Sequence, residues 1–242
     1  MIAPEEIPIP TDTAGLLEGL TTTRSIRRYT DDPVPDQVLR DIMFAATRAP
    51  SGSNRQPFRF VVLKDGPVAA EAKAIIGRGA RAAWAAKREN EGYDEGSGAD
   101  PASPKARMAR SMEHYVDHID QVPVLVLPCL IRYRPANATE GASVYPACQN
   151  LLLAARALGY GGVLTIWHAF VEADLRALLE LPDEVAIAAT ITLGKPAGRH
   201  GPVRRVPMAD LVYEGTWGTS APWAVDPPGT RFTGAGPPRG PA

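Results

Sequence analysis

Two groups of basic residues in this chain could bind an anion. Arg24, Arg27 and Arg28 form the first group, in the segment Arg-Ser-Ile-Arg-Arg-Tyr at positions 24–29. The second group follows the last predicted strand and consists of Lys195, Arg199, Arg204 and Arg205. A guanidinium group forms paired hydrogen bonds with a phosphate. The two groups are therefore either a phosphate site or, taken singly, ordinary surface cations.

A polar loop at residues 49–57 is the second candidate for ligand binding. Its sequence is Ala-Pro-Ser-Gly-Ser-Asn-Arg-Gln-Pro, and it lies between a predicted helix and a predicted strand. Small residues and amides contribute little packing and many hydrogen bonds. This composition suits the loop to holding a planar polar ligand.

Several other chemistries have no matching signal in the sequence. The chain contains no Gly-x-Gly-x-x-Gly after a strand, no Walker A loop and no Gly-x-Ser-x-Gly elbow. His114 and His118 are one helical turn apart, but a solvated charged helix explains them better than a metal site, and we predict no metal. Cys129 and Cys148 fit no zinc or Cys-x-x-Cys spacing, which indicates two buried thiols.

Composition favours a soluble globular protein. The chain has 242 residues, 45% of them hydrophobic and 22% charged, and its net charge of −1 gives no general attraction to nucleic acid or membrane. The N-terminus lacks the basic start and apolar run of a signal peptide. The longest apolar run, residues 122–131, is too short to span a bilayer. We expect a cytoplasmic location.

The hydrophobic pattern predicts an alternation of helices and strands, which indicates an α/β or α+β sandwich. Ser143 and Pro146 predict the start of a long, largely apolar helix. The predicted helices cover residues 12–23, 36–48, 143–158 and 172–180, and the predicted strands cover 58–64, 122–133, 163–167 and 185–193.

Two segments stand apart from this alternation. Residues 67–120 are rich in Ala, Arg, Lys and Glu and predict two or three exposed helices, with a break at 92–104. They are either a lid over a site or a solvated excursion. Residues 215–242 are rich in Pro and Gly and cannot form a core of their own. This tail either wraps around another surface or has no fixed structure.

Four segments, in this order, resemble the FMN-dependent nitroreductase family: 24–29, 49–57, 149–155 and 193–196. The resemblance covers about residues 20–212 and implies an α+β fold. The expected architecture is a three-layer α-β-α sandwich with a mixed, mostly antiparallel sheet between helices, in an interlocked homodimer. It implies one FMN-binding domain over residues 1–214, with 215–242 as an extension that wraps the partner subunit.

The resemblance also implies roles for individual residues, in two FMN sites at the subunit interface. Many members of the family carry an arginine where this chain has Thr23. The helix at 143–158 would lie at the centre of the dimer. The implied ligands are Arg24, Ser25 and Arg27 for the phosphate and ribityl chain; Lys195 with Arg205 or Arg204 for the phosphate; Pro50, Ser51, Gly52 and Asn54 of the other subunit for the isoalloxazine; and Leu164, Thr165 and Ile166 against the ring.

The implied function is ping-pong hydride transfer from NAD(P)H through FMN to a small electron-poor acceptor, such as a nitroaromatic or a quinone. FMN carries the chemistry, so no catalytic acid or base is required of the protein. Two alternatives stay open. One is specialised flavin chemistry in the same fold, namely flavin fragmentation, dehalogenation or dehydrogenation. The other is a non-catalytic protein that sequesters FMN.

Overall fold

Helices and strands alternate along residues 14–233, the part of the chain that the computed structural model describes. Positions 12 and 13 of the first predicted helix, and 234–242 of the predicted tail, lie outside it. The elements are α1 (Leu16–Thr22), α2 (Asp36–Ala46), β1 (Phe58–Leu63), α3 (Pro67–Asn90), α4 (Pro104–Asp117), β2 (Val124–Ile131), α5 (Tyr145–Ala157), β3 (Gly161–Thr165), α6 (Glu172–Leu178), β4 (Val185–Ile187) and β5 (Thr190–Gly194).

The five strands form one sheet in the order β1-β2-β5-β3, and β4 also pairs with β2. Each of these pairings is antiparallel. Strand β2 lies at the centre, with Leu127 opposite Val61 of β1 and Val126 opposite Ile191 of β5. Its first seven residues are buried, as the continuous hydrophobic run predicts.

Helices cover both faces of the sheet, which confirms the three-layer α-β-α sandwich. Successive side chains of a strand point to opposite faces. Leu125 and Leu127 of β2 belong to the core that includes α3, whereas Val124 and Val126 belong to the core that includes α2 and α5. The sheet therefore separates two hydrophobic cores.

Helix α3 packs into the core, so the prediction of exposed helices over 67–120 is wrong for this part of the segment. Ala72, Ile76 and Ala80 have no exposed surface. A Cβ on Gly79 would lie 3.2 Å from the Trp167 carbonyl oxygen, which shows how closely the helix approaches its neighbour. Small residues allow this approach. A hydrophobicity profile of the sequence does not identify them as core residues.

The strand predicted over 185–193 is divided into β4 and β5. The division lies opposite Pro128 of β2, whose carbonyl oxygen accepts a hydrogen bond from the Ala188 amide at 2.8 Å. In an antiparallel ladder the amide and carbonyl of one residue point to the same neighbour. Proline has no amide hydrogen to donate, so the ladder is interrupted at this point.

Helix α5 begins at Tyr145, and Val144 stands at its N-cap. The prediction of Ser143 as the cap is therefore wrong, and its hydroxyl instead faces the Gly52 amide at 3.4 Å. Cys148 is fully buried in this helix and Cys129 in β2, and both are free thiols, as the sequence predicts. Burial raises the pKa of the Cys129 thiol to about 11 and that of Cys148 to about 12.

Candidate functional site

The structure brings the two basic groups together at one end of the sheet. Segments 21–30 and 194–203 run antiparallel beside each other. The Thr30 amide donates to the Lys195 carbonyl at 2.9 Å, the Ala197 amide to the Arg28 carbonyl at 3.0 Å, and the Gly201 amide to the Thr22 carbonyl at 3.1 Å. The two segments that carry the cations are therefore neighbours in the fold.

Arg27 is the cation of this region whose side chain has the fewest hydrogen-bond partners for its burial. Its side chain is partly buried, and its Nε atom is buried with no hydrogen-bond partner among the described residues. Burial lowers the pKa of Arg27, while Tyr115 and Tyr29 act in the opposite direction. A buried guanidinium normally has a partner, because an unpaired buried polar group costs about 1–3 kcal/mol. The position therefore suits an anionic ligand.

Tyr29 ties the Arg27 segment to Thr192 of the sheet, and Tyr115 contacts the same threonine. The Tyr29 hydroxyl donates to the Ile26 carbonyl at 2.7 Å and lies 2.8 Å from the Thr192 hydroxyl. The Tyr115 hydroxyl of α4 lies 2.6 Å from the same Thr192 oxygen. Burial raises the pKa of both tyrosines, so both hydroxyls stay protonated at neutral pH.

His200 connects the other end of the segment. Its Nδ1 atom accepts a hydrogen bond from the Arg24 amide at 3.3 Å, and its Nε2 atom lies 3.1 Å from the Tyr160 carbonyl oxygen. These two contacts together require a neutral imidazole with its proton on Nε2. Burial lowers the pKa of His200, and the charges of Arg156 and Arg24 add to this, against the opposing Tyr160 contact.

The remaining predicted phosphate ligands are exposed side chains of the same region. Lys195 forms a salt bridge of 3.1 Å with Asp32, so an incoming anion would compete with that carboxylate. Arg24, Ser25, Arg204 and Arg205 are exposed to solvent. The Arg205 side chain turns back to donate to the Arg204 carbonyl at 2.8 Å.

Thr23 offers no substitute for the arginine found in many nitroreductases at that position. Its hydroxyl donates to the Gly19 carbonyl at 2.6 Å and is used at the end of α1.

The polar loop at 49–57 has an unusual backbone. Ser53, Asn54 and Gln56 all have positive φ angles, of 52°, 52° and 49°. Left-handed backbone is uncommon for residues other than glycine and concentrates at functional sites. The Ser51 hydroxyl accepts a hydrogen bond from the Gln56 amide at 2.8 Å, which closes the loop on itself.

Most of the loop faces solvent, including the predicted ligands Pro50, Gly52 and Asn54, whereas Ser51 is partly buried.

The loop and the basic region lie at opposite ends of the sheet. The loop is joined to the last residue of β2, because the Ile131 amide donates to the Pro57 carbonyl at 2.8 Å. The basic region adjoins the first residue of β2, since Val124 lies opposite Leu193 and Lys195 follows shortly after. Eight residues of strand span about 23 Å. One chain therefore does not bring the two predicted halves of the site together.

Strand β3 leads away from the basic region along the edge of the sheet. Ile26 donates to the Gly162 carbonyl at its start, at 3.0 Å. Leu164 and Thr165 are partly buried, and Ile166 is 58% exposed just beyond the strand. Gly161 to Thr165 spans about 13 Å, so these three residues stand apart from the arginines along one edge.

The two helical histidines stack on each other rather than facing a common ligand. The rings of His114 and His118 lie 4.2 Å apart with 19° between their planes, and His118 Nδ1 lies 2.7 Å from the His114 carbonyl oxygen. Within residues 14–233, no group of three or more His, Cys, Asp or Glu side chains could hold a metal ion.

Sequence reasoning missed Tyr29, Tyr115, Thr192 and His200. Tyr29 lies inside segment 24–29, so its sequence position was a signal that could have identified it. Tyr115, Thr192 and His200 act only through the pairing of distant segments, which no local pattern records.

None of the helices described between residues 14 and 233 has the length and apolarity needed to cross a bilayer.

Comparison with known proteins gives a consistent picture. The Nitroreductase family model matches residues 20–195. A curated relative named NADH dehydrogenase, from Thermus thermophilus, is 31% identical over 78% of this chain and 90% of its own length. A rat protein named iodotyrosine deiodinase 1 is 27% identical over 74% of this chain and 61% of its own length.

Solved structures give the same result. A structure from Desulfovibrio desulfuricans, described as a nitroreductase in complex with FMN, is 30% identical and has a TM-score of 0.61. The match covers 85% of this chain and 99% of that one.

Proposed function

Because the chain belongs to the nitroreductase family, we propose that it is an FMN-dependent oxidoreductase in which NAD(P)H and an electron acceptor use one pocket in turn. The acceptor is a small electron-poor molecule such as a nitroaromatic or a quinone. The observation that carries the proposal is the buried Nε atom of Arg27, which has no partner among residues 14–233 and belongs to a segment that pairs with the one carrying Lys195.

The residues present fit FMN. Its phosphate brings about two negative charges, and the adjoining segments 21–30 and 194–203 supply the cations to match them. In this proposal Arg27, Arg24 and Ser25 bind the phosphate and ribityl chain, with Lys195 and either Arg204 or Arg205 as further phosphate ligands. When bound, FMN takes a hydride from NAD(P)H and passes two electrons to the acceptor.

A second copy of the chain would complete each site. The exposed edge around Leu164, Thr165 and Ile166 would lie against the isoalloxazine, and the loop with Pro50, Ser51, Gly52 and Asn54 would approach from the other subunit. The 23 Å between the two ends of β2 supports this division.

Exposed apolar surface supports a dimer as well. Leu16 and Leu17 of α1 are 72% and 76% exposed, and Trp217 and Trp223 in the tail are also exposed. Apolar side chains clustered on a surface mark interaction sites. We infer that α1 and the tail pack against the partner subunit.

In this proposal the chain's own residues orient the bound ligands and exclude solvent, and they take no part in the chemical step. The loop's left-handed residues hold its amides and side chains in one arrangement before the ligand arrives. The protonated Tyr29 hydroxyl holds the Arg27 segment in place, and the Tyr115 hydroxyl contacts Thr192, the partner of Tyr29 in the sheet. No side chain in the region is needed to donate or accept a proton in a chemical step.

An absorbance spectrum of the purified protein, before and after anaerobic addition of NADH or NADPH, tests the proposal. We expect a flavin spectrum that either nicotinamide bleaches and an electron-poor acceptor restores. A protein that remains colourless after incubation with FMN would refute cofactor binding, and bound flavin that no hydride donor reduces would indicate sequestration instead.

The relatives named iodotyrosine deiodinase favour reductive dehalogenation as a second candidate. In that case a halogenated aromatic, rather than a nitroaromatic, would reoxidise the reduced protein. Release of halide ion measured against nitro-group reduction, with the same reduced sample, distinguishes the two activities.

A further inference from the structure

A short connector, residues 132–143, joins β2 to α5 and lies beside the polar loop. Pro57 at the end of the loop accepts a hydrogen bond from the last residue of β2. The Gly52 amide faces the hydroxyl of Ser143 at 3.4 Å. The connector therefore borders the loop, and a small pocket here is lined by the connector, by the end of β2 and by Pro57 of the loop.

Internal contacts fix the connector. Arg132 forms two hydrogen bonds with Glu140, of 3.0 and 2.6 Å, which tie its two ends together. The Asn137 side-chain oxygen accepts from the amide of Thr139 at 3.1 Å and from its hydroxyl at 2.7 Å. Arg132 lowers the pKa of Glu140, so this carboxylate is charged and already paired at neutral pH.

Two further arginines converge on one exposed ring at this place. The guanidinium carbon of Arg55, from the loop, lies 4.9 Å from the centre of the Tyr133 ring, and that of Arg134 lies 5.4 Å from it. Tyr133 is 57% exposed. Neither Arg55 nor Arg134 forms a salt bridge with any residue between 14 and 233, whereas their neighbour Arg132 does.

Two cations that contact the same ring repel each other, and an anion that binds both removes this repulsion. The aromatic ring partly offsets this repulsion through cation–π contacts. The acid nearest in the connector, Glu140, is paired with Arg132. The arrangement thus combines an aromatic ring with two planar cations that have no salt bridge among residues 14–233, although the Arg134 charge also acts on Glu140. This combination complements an aromatic ring that carries a carboxylate.

We propose that Arg55, Tyr133 and Arg134 bind an aromatic carboxylate that serves as the electron acceptor. The carboxylate of the acceptor binds the two guanidinium groups in place of their contacts with the Tyr133 ring, and the ring of the acceptor packs against the face of Tyr133 that they leave. The inference rests on the proposed function, because the loop that carries Arg55 is the one that faces the flavin of the second subunit. It goes further in naming the chemical class of the acceptor.

Two matched pairs of probes test this assignment. Benzoate and its neutral isostere benzamide measure binding without turnover, by calorimetry on the flavin-loaded protein. Reoxidation of dithionite-reduced protein by 4-nitrobenzoate and by 4-nitrobenzamide measures the electron-transfer half-reaction without any nicotinamide. We expect the wild-type protein to prefer the acid in both measurements.

The variants Arg55→Gln, Arg134→Gln and the double variant are then compared with Arg40→Gln, which alters an exposed arginine of α2. We expect about a tenfold loss of benzoate affinity for each single change, with benzamide binding unchanged. Arg40→Gln should behave as the wild type.

Three results would overturn the inference. They are equal binding of benzoate and benzamide by the wild type, unchanged benzoate binding in the double variant, and an effect confined to reduction by NADH or NADPH. The last result would assign the arginines to the nicotinamide donor. Failure of the proposed function itself is distinguishable, because it would appear as absent flavin or as flavin that no donor reduces.

Discussion

The main-chain amide of Arg24 donates a hydrogen bond to Nδ1 of His200, so a residue predicted to bind phosphate is positioned by a neutral imidazole. The Nε2 atom of the same ring contacts the Tyr160 carbonyl. Protonation at Nδ1 would remove the acceptor that the Arg24 amide uses and would place another positive charge beside it. The contact therefore makes this end of the site sensitive to acid.

The first prediction concerns His200 and pH. Because the folded-state pKa of His200 lies below its ordinary value of 6.5, the unfolded chain binds this proton first as the pH falls. The contribution of His200 to the free energy of unfolding should be constant above pH 6.5 and should decrease as the pH falls from 6.5 to the folded-state pKa. His200→Phe should lower stability at pH 8 by about 1–2 kcal/mol, through loss of two hydrogen bonds, and should reduce the loss on acidification.

Urea unfolding between pH 5 and 8 measures both effects. Some acid dependence should persist in the variant, since burial also lowers the pKa of His168 and of His114. Identical pH profiles for the variant and the wild type would contradict the role of His200.

The second prediction concerns Arg27. Arg27→Ala should weaken FMN binding by about 10- to 100-fold, because a hydrogen bond between charged groups contributes roughly 1.5–3 kcal/mol. It should not destabilise the flavin-free protein, since it removes a buried group that has no partner among the described residues. Flavin titration and thermal unfolding of the flavin-free form provide the two measurements. Arg40→Ala is the control, and full flavin occupancy of Arg27→Ala would refute the phosphate assignment.

The third prediction tests whether each site uses two chains. Arg27→Ala damages one half of the proposed site, and Ser51→Ala with Asn54→Ala damages the other half. A heterodimer of the two variants should contain one intact site and one doubly damaged site, and should retain about half the wild-type flavin. Both parent homodimers should retain less. If a single chain formed the whole site, the heterodimer would recover nothing.

The fourth prediction separates two tyrosines that share Thr192. The Tyr29 hydroxyl also contacts the Ile26 carbonyl inside the arginine segment, whereas the Tyr115 hydroxyl contacts Thr192 alone. Both Tyr29→Phe and Tyr115→Phe should lower stability by about 1 kcal/mol. Tyr29→Phe should in addition weaken FMN binding more than Tyr115→Phe does. Equal flavin affinities would show that Tyr29 does not position the arginines.

Local patterns predict much of this fold, and the failures have physical causes. The hydrophobic run of residues 185–193 reads as one strand, and its interruption depends on Pro128, some sixty residues earlier in the chain. That proline is visible in the sequence, but the register that places it opposite Ala188 is not. The burial of α3 was missed because alanine and glycine pack closely without contributing a hydrophobic signal.

The candidate site shows the same difference between features that local sequence predicts and features that depend on distant segments. The type and spacing of the arginines in segment 24–29 predict a phosphate site, since phosphate binding depends on a few neighbouring side chains. The antiparallel pairing of 21–30 with 194–203 is not local, so His200 and Thr192 could not be connected to it in advance. The convergence of Arg55 and Arg134 on Tyr133 likewise depends on how the loop lies beside the connector.

The buried Nε atom of Arg27 has a consequence for the amount of protein in a cell. In the flavin-free chain this nitrogen has no hydrogen-bond partner among residues 14–233. A ligand that binds only the folded state raises the stability in proportion to the logarithm of the ligand's concentration. Chains that lack the cofactor open more often and are degraded more readily. The supply of FMN would thereby influence the abundance of this enzyme as well as its activity.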